Sequence, residues 1–320
     1  MFRLLAALAL TLSISVEAQA QSVEVIPTEG EVTAITQTPA GSYVETTRGT
    51  FAITEGSECA GKICLTPDVV RGLPERAPEG ALPDGFISAA RDGDIRKAWY
   101  ARPTERYAHA VLGDAIEGGS LVVELNDGTQ KEFVLPENQV FEDITPRIHD
   151  LNFSGTNEVV TIRSSQTGGA AVVVYGLVDG ELAEVAASSE NGLRNRWLNI
   201  VGVLPQKSSS SSSIYFIRTP HINGRLNRLE VGRDGSKDVD LRQNDFSNHV
   251  IGSRVLDLGL LHAGDQPHMY IPSQNRRSLR QVFNEPADIS LPGKINQSLI
   301  VLDSGLLTAT DQGELLLIIE

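Results

Sequence analysis

The sequence predicts an all-β fold, a six- or seven-bladed β-propeller, and three observations carry the prediction. Asp-Gly turns between alternating apolar residues recur about every 50 residues, a period that belongs to propellers and solenoids. A triplet of aromatic, any residue, then a small polar residue or His precedes the later hairpins. Helical 3.6-residue periodicity is hard to find anywhere in the 320 residues.

The hairpins come first. Phe86–Arg91 and Asp94–Ala101 flank Asp92-Gly93, and Ser120–Leu125 and Thr129–Leu135 flank Asp127-Gly128. Ala170–Val178 and Glu181–Ala187 flank Asp179-Gly180, and Arg225–Arg233 and Ser236–Leu241 flank Asp234-Gly235. Asp-Gly is the strongest short hairpin signal because its two-residue turn needs φ > 0 at both positions. A fifth hairpin, Ser278–Phe283 with Ala287–Leu291, turns at Asn284-Glu285-Pro286.

The triplets are Tyr107-Ala108-His109, Phe141-Glu142-Asp143, Trp197-Leu198-Asn199 and Phe246-Ser247-Asn248. A strand begins after each polar member, then come a loop, a second strand and the hairpin. One such unit reads as strands near 144–149, 158–163, 170–178 and 181–187. Four antiparallel strands make one blade. The unit at 109–135 is expected to lack a strand, which accounts for a 35-residue gap between turns.

Two segments interrupt the pattern, and the chain ends complete it. Residues 54–84, with Pro74, Pro78 and Pro83, read as an insertion between blades. Lys207 and the run Ser208–Ser213 read as a flexible surface loop over 207–213. The last unit, near 297–320, shows only three strands and ends on Leu315-Leu316-Leu317-Ile318-Ile319, too apolar for an exposed edge. The lone alternating stretch Ser22–Ile26 is therefore expected to pair beside 314–319 as the outer strand of the last blade.

Residues 1–20 read as a bacterial-type export signal: Arg3 in a short basic start, an apolar run Leu4–Val16, and Ala18-Gln19-Ala20 for cleavage. No second long apolar run follows, so no transmembrane segment is expected, and residues 21–320 form one domain in the periplasm or outside the cell. In that oxidising setting Cys59 and Cys64, the only two cysteines, are expected to form a local disulfide. The net charge of −14 at pH 7 makes nucleic acid and anionic membranes poor partners.

One stretch has metal-ligand spacing. Asp150, Asn152, Ser154 and Glu158 place oxygen side chains at positions 1, 3, 5 and 9 of a loop whose sixth residue is Gly155; Thr156 would add its backbone carbonyl. The context is strand–loop–strand, which is not an EF-hand. The stretch resembles the calcium loop of VCBS/FG-GAP repeats, the blades of integrin-α-like propellers, with Val159-Val160-Thr161-Ile162 as the following strand. Phe141–Ala187 looks like one whole repeat, and weaker likeness covers 190–291. The corresponding loops at Leu204–Ser213 and His262–Pro267 keep no acidic ligand set, so the resemblance implies the fold more firmly than calcium. A loop with two carboxylates is expected either to hold one Ca²⁺ weakly or to serve as a metal-free turn.

Blade topology sorts these residues onto two faces. The calcium-like loop and the Asp-Gly turns share one face. His109, Asp143, Asn199 and Asn248 belong at the opposite mouth of the channel, ringed by the turns of Gln166–Gly169, Pro220–Asn223 and Gln274–Arg277, which bring His221, Arg276 and Arg277. Two readings of the four polar residues stand: they bind a ligand, or they bond backbone groups at blade joints. Arg276-Arg277 reads equally as a solvated turn. No nucleophile elbow, Walker loop, dinucleotide motif or zinc spacing is present. The leading expectation is a non-enzymatic exported propeller that binds a protein, small-molecule or glycan ligand at the mouth. A propeller hydrolase or lyase acting on extracellular glycans is the alternative, and a structural envelope component is the third.

Overall fold

The computed structural model describes residues 22–319 apart from 60–61, 265 and 284–286. The export signal expected over 1–20 and the turn at Asn284-Glu285-Pro286 lie outside the described residues. The described residues form a β-propeller of six four-stranded units.

β1 (Ser22–Ile26) is set apart from the strands that follow it. The first blade comprises β2 (Val32–Thr38), β3 (Gly41–Thr46), β4 (Gly49–Glu55) and β5 (Ile63–Pro67). The second comprises β6 (Ser88–Ala89), β7 (Ile95–Thr104), β8 (Glu117–Leu125) and β9 (Gln130–Val134). A short strand, β10 (Gln139–Phe141), leads into the third: β11 (Arg147–His149), β12 (Glu158–Ser165), β13 (Gly169–Val178) and β14 (Glu181–Ala187). The fourth comprises β15 (Leu198–Gln206), β16 (Ser211–Arg218), β17 (Gly224–Gly232) and β18 (Gly235–Phe246). The fifth comprises β19 (Leu260–His262), β20 (His268–Pro272), β21 (Ser278–Gln281) and β22 (Ala287–Ser290). The sixth has β23 (Ile300–Leu302), β24 (Gly305–Ala309) and β25 (Leu315–Ile319). All pairings are antiparallel, and β10 touches both β8 and β12, joining the second and third blades into one nine-stranded sheet.

The expected ring closure is present. β1 pairs along β25 from Ser22 opposite Ile319 to Ile26 opposite Leu315. Every residue of β25 is buried. Its alternate side chains serve two neighbours. Leu315, Leu317 and Ile319 pack with Val32, Ile35 and Val44 of the first blade. Leu316 and Ile318 pack with Leu279 and Ile289 of the fifth. A strand between two apolar blade faces must be apolar on both sides, which explains the unbroken Leu/Ile run.

Similar apolar clusters fill the other junctions, with Tyr100, Phe141 and Tyr175 between the second and third blades and Phe216, Leu229 and Val160 between the third and fourth. The first and second blades meet differently. The cluster there, Ala81, Ile87, Trp99, Ala101 and Val122 with Ala77 beside it, draws only on the second blade and the segment before it. That segment, not the first blade, covers Trp99.

Four expectations change. Asp92-Gly93 lies between the first and second strands of its blade and Asp127-Gly128 between the third and fourth, so the 35-residue gap separates two turns of one complete blade. Residues 54–84 are not all insertion: β5 is the outer strand of the first blade, and the Cys59–Cys64 disulfide closes the β4–β5 turn, where Thr54 pairs with Cys64. The serine run is not a flexible loop. A 3₁₀ turn at Lys207–Ser209 leads straight into β16, where Ser212 and Ser213 are buried between β15 and β17. Finally, of the Asp-Gly turns only Asp179-Gly180 has φ > 0 at both positions, 51° and 79°. At Asp127 the side chain instead accepts the Thr129 N–H at 2.8 Å.

The closure gives a test. Truncating a buried isoleucine costs about 2–4 kcal/mol, and each kcal/mol shifts Tm by roughly 2–4 °C in domains somewhat smaller than this one. Deleting residues 22–26 removes Ile26 and its whole ladder, so Tm should fall by about 10 °C or more. Val25→Thr, at a position 52% exposed, should leave it nearly unchanged. An unchanged melting curve for the deletion would show that the ring holds without the joint.

Candidate functional site

Strand direction places the links between blades and the second-to-third-strand turns at one mouth. In the second blade that turn is long, spanning residues 105–116. It does not leave the channel open. Val111 and Leu112 are buried in the apolar cluster of the third and fourth blades. Gly252 N–H donates to Val111 O at 2.8 Å, and Arg254 pairs with both Asp84 and Asp114. The turn thus bridges to the link between the fourth and fifth blades and plugs the channel.

Around this plug lies a polar floor. His109 Nδ1 meets Glu142 Oε1 at 2.5 Å, and Ser164 Oγ donates to Glu142 Oε2. Glu142 has no solvent exposure. Its backbone carbonyl accepts Trp197 Nε1–H at 3.0 Å. Trp197 lies parallel to the His221 ring at 6.1 Å between centroids and tilted to His249 at 4.6 Å.

The two histidines are tied in series. His249 Nε2 meets Ser253 O at 2.9 Å, and a carbonyl only accepts, so that nitrogen carries the proton. His249 Nδ1 must then accept from His221 Nε2–H, 2.9 Å away. Burial pulls His221 down to about 3, helped by the charges of His249, His109 and Arg276, and pulls His249 down to about 4. Both rings are neutral at physiological pH, and His221 keeps Nδ1 as an acceptor.

The remaining mouth residues divide. Asp143 is buried and accepts Tyr100 Oη–H at 2.8 Å and Arg147 Nη1–H at 2.6 Å. Asn199 Nδ2 donates to Asn248 O and Leu256 O at 3.0 and 2.8 Å, and Asn248 Nδ2 donates to Asn199 O at 3.4 Å. Asn199 and Asn248 thus bond backbone carbonyls at a blade joint, while Asp143 holds the side chains of Tyr100 and Arg147. Arg276 Nε donates to Ile295 O at 3.1 Å, while Arg277 is exposed. So His109, His221 and Arg276 gather at the mouth, Arg277 sits at its rim, and Asp143, Asn199 and Asn248 do not reach it.

Glu142, Trp197 and His249 were missed by the pattern reading. Glu142 is the middle member of its triplet, and side chains two apart share one side of a strand. Phe141 and Asp143 face the blade junction together, which turns Glu142 the other way.

Above the floor the loops carry a distinct surface. Leu193, Ile222 and Ile251 are 55%, 73% and 66% exposed. Arg194 and Arg196 are exposed beside Leu193. Over 188–197, 219–223, 247–253 and 273–277 the only acid is Glu190. A basic, apolar rim thus stands on a protein of net charge −14.

On the opposite face, the Asp150–Glu158 loop is held by its own backbone. Asp150 Oδ1 and Oδ2 accept the N–H groups of Ser154 and Gly155 at 3.0 and 2.9 Å, and Glu158 Oε2 accepts that of Leu151 at 2.8 Å. Ser154 Oγ lies 2.7 Å from Thr156 Oγ1. Arg233 donates to the carbonyls of Asn152 and Phe153. Asn152 Oδ1 is buried without a donor, an acceptor that a cation would satisfy. Burial, with Asp150 and Asp94 nearby, pushes Glu158 up to about 7.

No known protein family matches the sequence, and no curated protein does. Two solved structures align over nearly the whole chain. Virginiamycin B lyase from Staphylococcus aureus is 10% identical, with 94% of this chain and 100% of that one covered and a TM-score of 0.33. BamB from Moraxella catarrhalis is 10% identical, with 93% and 98% covered and a TM-score of 0.23. Superpositions this distant carry no argument about residues or activity.

One buried acid makes a test. Glu117, at the start of β8, is 3% exposed, and burial together with Glu142, Asp114, Asp84 and Asp143 raises it to about 10. Folded, it keeps its proton at neutral pH; unfolded, it loses it above about 4.3. Stability therefore falls as pH rises from that value towards the folded one. Glu117→Gln, which needs no proton, should stabilise the protein at pH 8 and do nothing at pH 4. Denaturant titrations at both values measure the gain, and an equal gain at both would show that Glu117 titrates normally.

Proposed function

We propose that the protein is an exported propeller that binds a protein partner at the mouth, non-enzymatically, and that the partner offers an acidic segment with apolar side chains. The observation that carries this is the rim: Leu193, Ile222 and Ile251 exposed around Arg194, Arg196, Arg276 and Arg277. Exposed apolar side chains clustered on one face mark interaction sites, and arginine is enriched at interfaces. The plugged channel supports a surface rather than a deep substrate pocket. Neutral His221 supplies an acceptor beneath the rim.

The glycan hydrolase or lyase reading has one observation in its favour. Glu117 is held protonated by burial, with the Glu142 charge beside it, as a general acid must be. Both are 3% exposed or less, so no substrate reaches them in this conformation.

Leu193→Ser, Ile222→Ser and Ile251→Ser together should abolish capture of an envelope partner by the purified protein without lowering Tm. Capture by the unaltered protein should weaken between low and about 0.5 M salt, since exposed charges are screened. Equal capture by the triple variant would sink the reading.

The Asp150–Glu158 loop is proposed as one weak Ca²⁺ site, held by Asp150, Asn152, Ser154, Glu158 and the Thr156 carbonyl. The orphaned Asn152 Oδ1 supports it. Bound calcium would cross-link the loop and stabilise the folded state by mass action. Because Glu158 must be ionised, millimolar Ca²⁺ should raise Tm at pH 8 more than at pH 6, and Asp150→Ala should remove the shift. Identical melting with Ca²⁺ and with chelator at pH 8 would leave the loop a metal-free turn.

A further inference from the structure

A polar cavity of about 260 Å³ opens between the third and fourth blades, beside the rim of the mouth. The link residues Ser189 and Asn191 form one wall. The other wall is the face that β16, β17 and β18 turn towards the third blade. Along that face the apolar row Phe216 and Leu229 gives way to Arg218, Arg225, Asn227, Asp238 and Asp240 as the strands approach the mouth.

The back of the cavity is built. Arg218 is 4% exposed, and its guanidinium donates to Ser189 O at 2.9 Å, Asn191 Oδ1 at 3.1 Å, Ser189 Oγ at 3.0 Å and Asp238 Oδ2 at 2.9 Å. Asp238 Oδ2 also accepts the backbone N–H and the hydroxyl of Ser189. One oxygen is thus saturated, but Asp238 Oδ1 is buried with no donor. Asn227 is 5% exposed, and its Oδ1 is likewise buried with no donor. Two neighbouring acceptors left empty in a lined cavity call for a donor from outside the chain. At the entrance Arg225 and Asp240 are exposed.

We propose that this cavity binds a small zwitterion the size of a free amino acid, its ammonium on Asn227 Oδ1 and Asp238 Oδ1 and its carboxylate on Arg225. An ammonium brings three donors and no acceptor, which suits two empty acceptors. A guanidinium fork suits a carboxylate. A lone anion is disfavoured by Asp238, Asp240 and Glu190 along the walls. The volume lies below the roughly 300 Å³ at which drug-sized pockets begin, so the ligand is small.

The test uses the mature chain and defined probes. Each of the common L-amino acids, ethylammonium and acetate is titrated separately by calorimetry and thermal shift. At least one amino acid should bind with a Kd below about 1 mM, with ethylammonium weaker and acetate silent. Asn227→Leu should weaken that binding about ten-fold or more, the loss expected for one hydrogen bond to a charged donor. Arg225→Gln, at an exposed position, should keep the fold and erase the preference for the amino acid over ethylammonium. The triple rim variant should bind as the unaltered protein does, which separates this site from the apolar rim patch. A cavity filled by water alone, with no amino acid bound below about 1 mM, overturns the proposal. So does unchanged binding in both Asn227→Leu and Arg225→Gln.

Discussion

The pairing of β1 with β25 is the constraint on which the ring depends. It joins the two ends of the described chain, so the sixth blade forms only when both are in place. Through β25 it also fixes two neighbours, because Leu315, Leu317 and Ile319 complete one blade junction and Leu316 and Ile318 the other. Loss of one edge strand therefore reaches three blades. A contact this distant in sequence is expensive in chain entropy and forms late unless the local hairpins already stand. The short turns within each blade supply those hairpins.

Much of the architecture was legible because turn chemistry is local. Asp179-Gly180 needs left-handed backbone at both positions, and that need is written in two residues. The first blade was illegible for the same reason. Its turns, Pro39-Ala40 and Thr47-Arg48, contain no Asp-Gly, and Gly41 and Gly49 come just after them at the starts of β3 and β4. The serine run misled because serine favours loops in isolation. In the fourth blade, pairing on both edges of β16 overrides that preference. The same limit hid the role of Asp92-Gly93: a turn motif marks a reversal but not which of a blade's turns it is.

The mouth was legible by position and not by contact. Topology brought His109, His221 and Arg276 together correctly. It did not show that residues 105–116 fold inwards, because Val111 and Leu112 look like any loop aliphatics until the blade cluster they enter is known. Nor did it separate Glu142 from Asp143, which differ by one step of strand alternation. Asp143 faces Tyr100 and Arg147 inside a junction, and Glu142 faces His109 and Ser164 at the floor. Paired and saturated, both carboxylates are built into the scaffold.

Both ends of the propeller are tied between blades, and the ties show where free side chains remain. On the face away from the mouth, turns of neighbouring blades bond to each other directly. Asn157 of the third blade donates to Asp92 O and Ile95 O of the second. Arg233 of the fourth donates to the Asn152 and Phe153 carbonyls of the third, and Glu55 of the first accepts the Asp303 and Ser304 N–H groups of the sixth. Two of these ties share one form, a third-to-fourth-strand turn of one blade gripping the first-to-second-strand turn of the blade before it. The Asp150–Glu158 loop is one of the gripped turns, so its shape is fixed from outside as well as by its own carboxylates. At the mouth Gln274 donates to Pro220 O and accepts the Gly224 N–H. Asn195 N–H donates to Tyr107 Oη and Gly252 N–H to Val111 O, above the buried bonds of Asn199, Asn248 and Trp197. The side chains at the tips, Leu193, Ile222 and Ile251, take no part in these bonds. At that end the fold leaves Leu193, Ile222 and Ile251 exposed without an internal task.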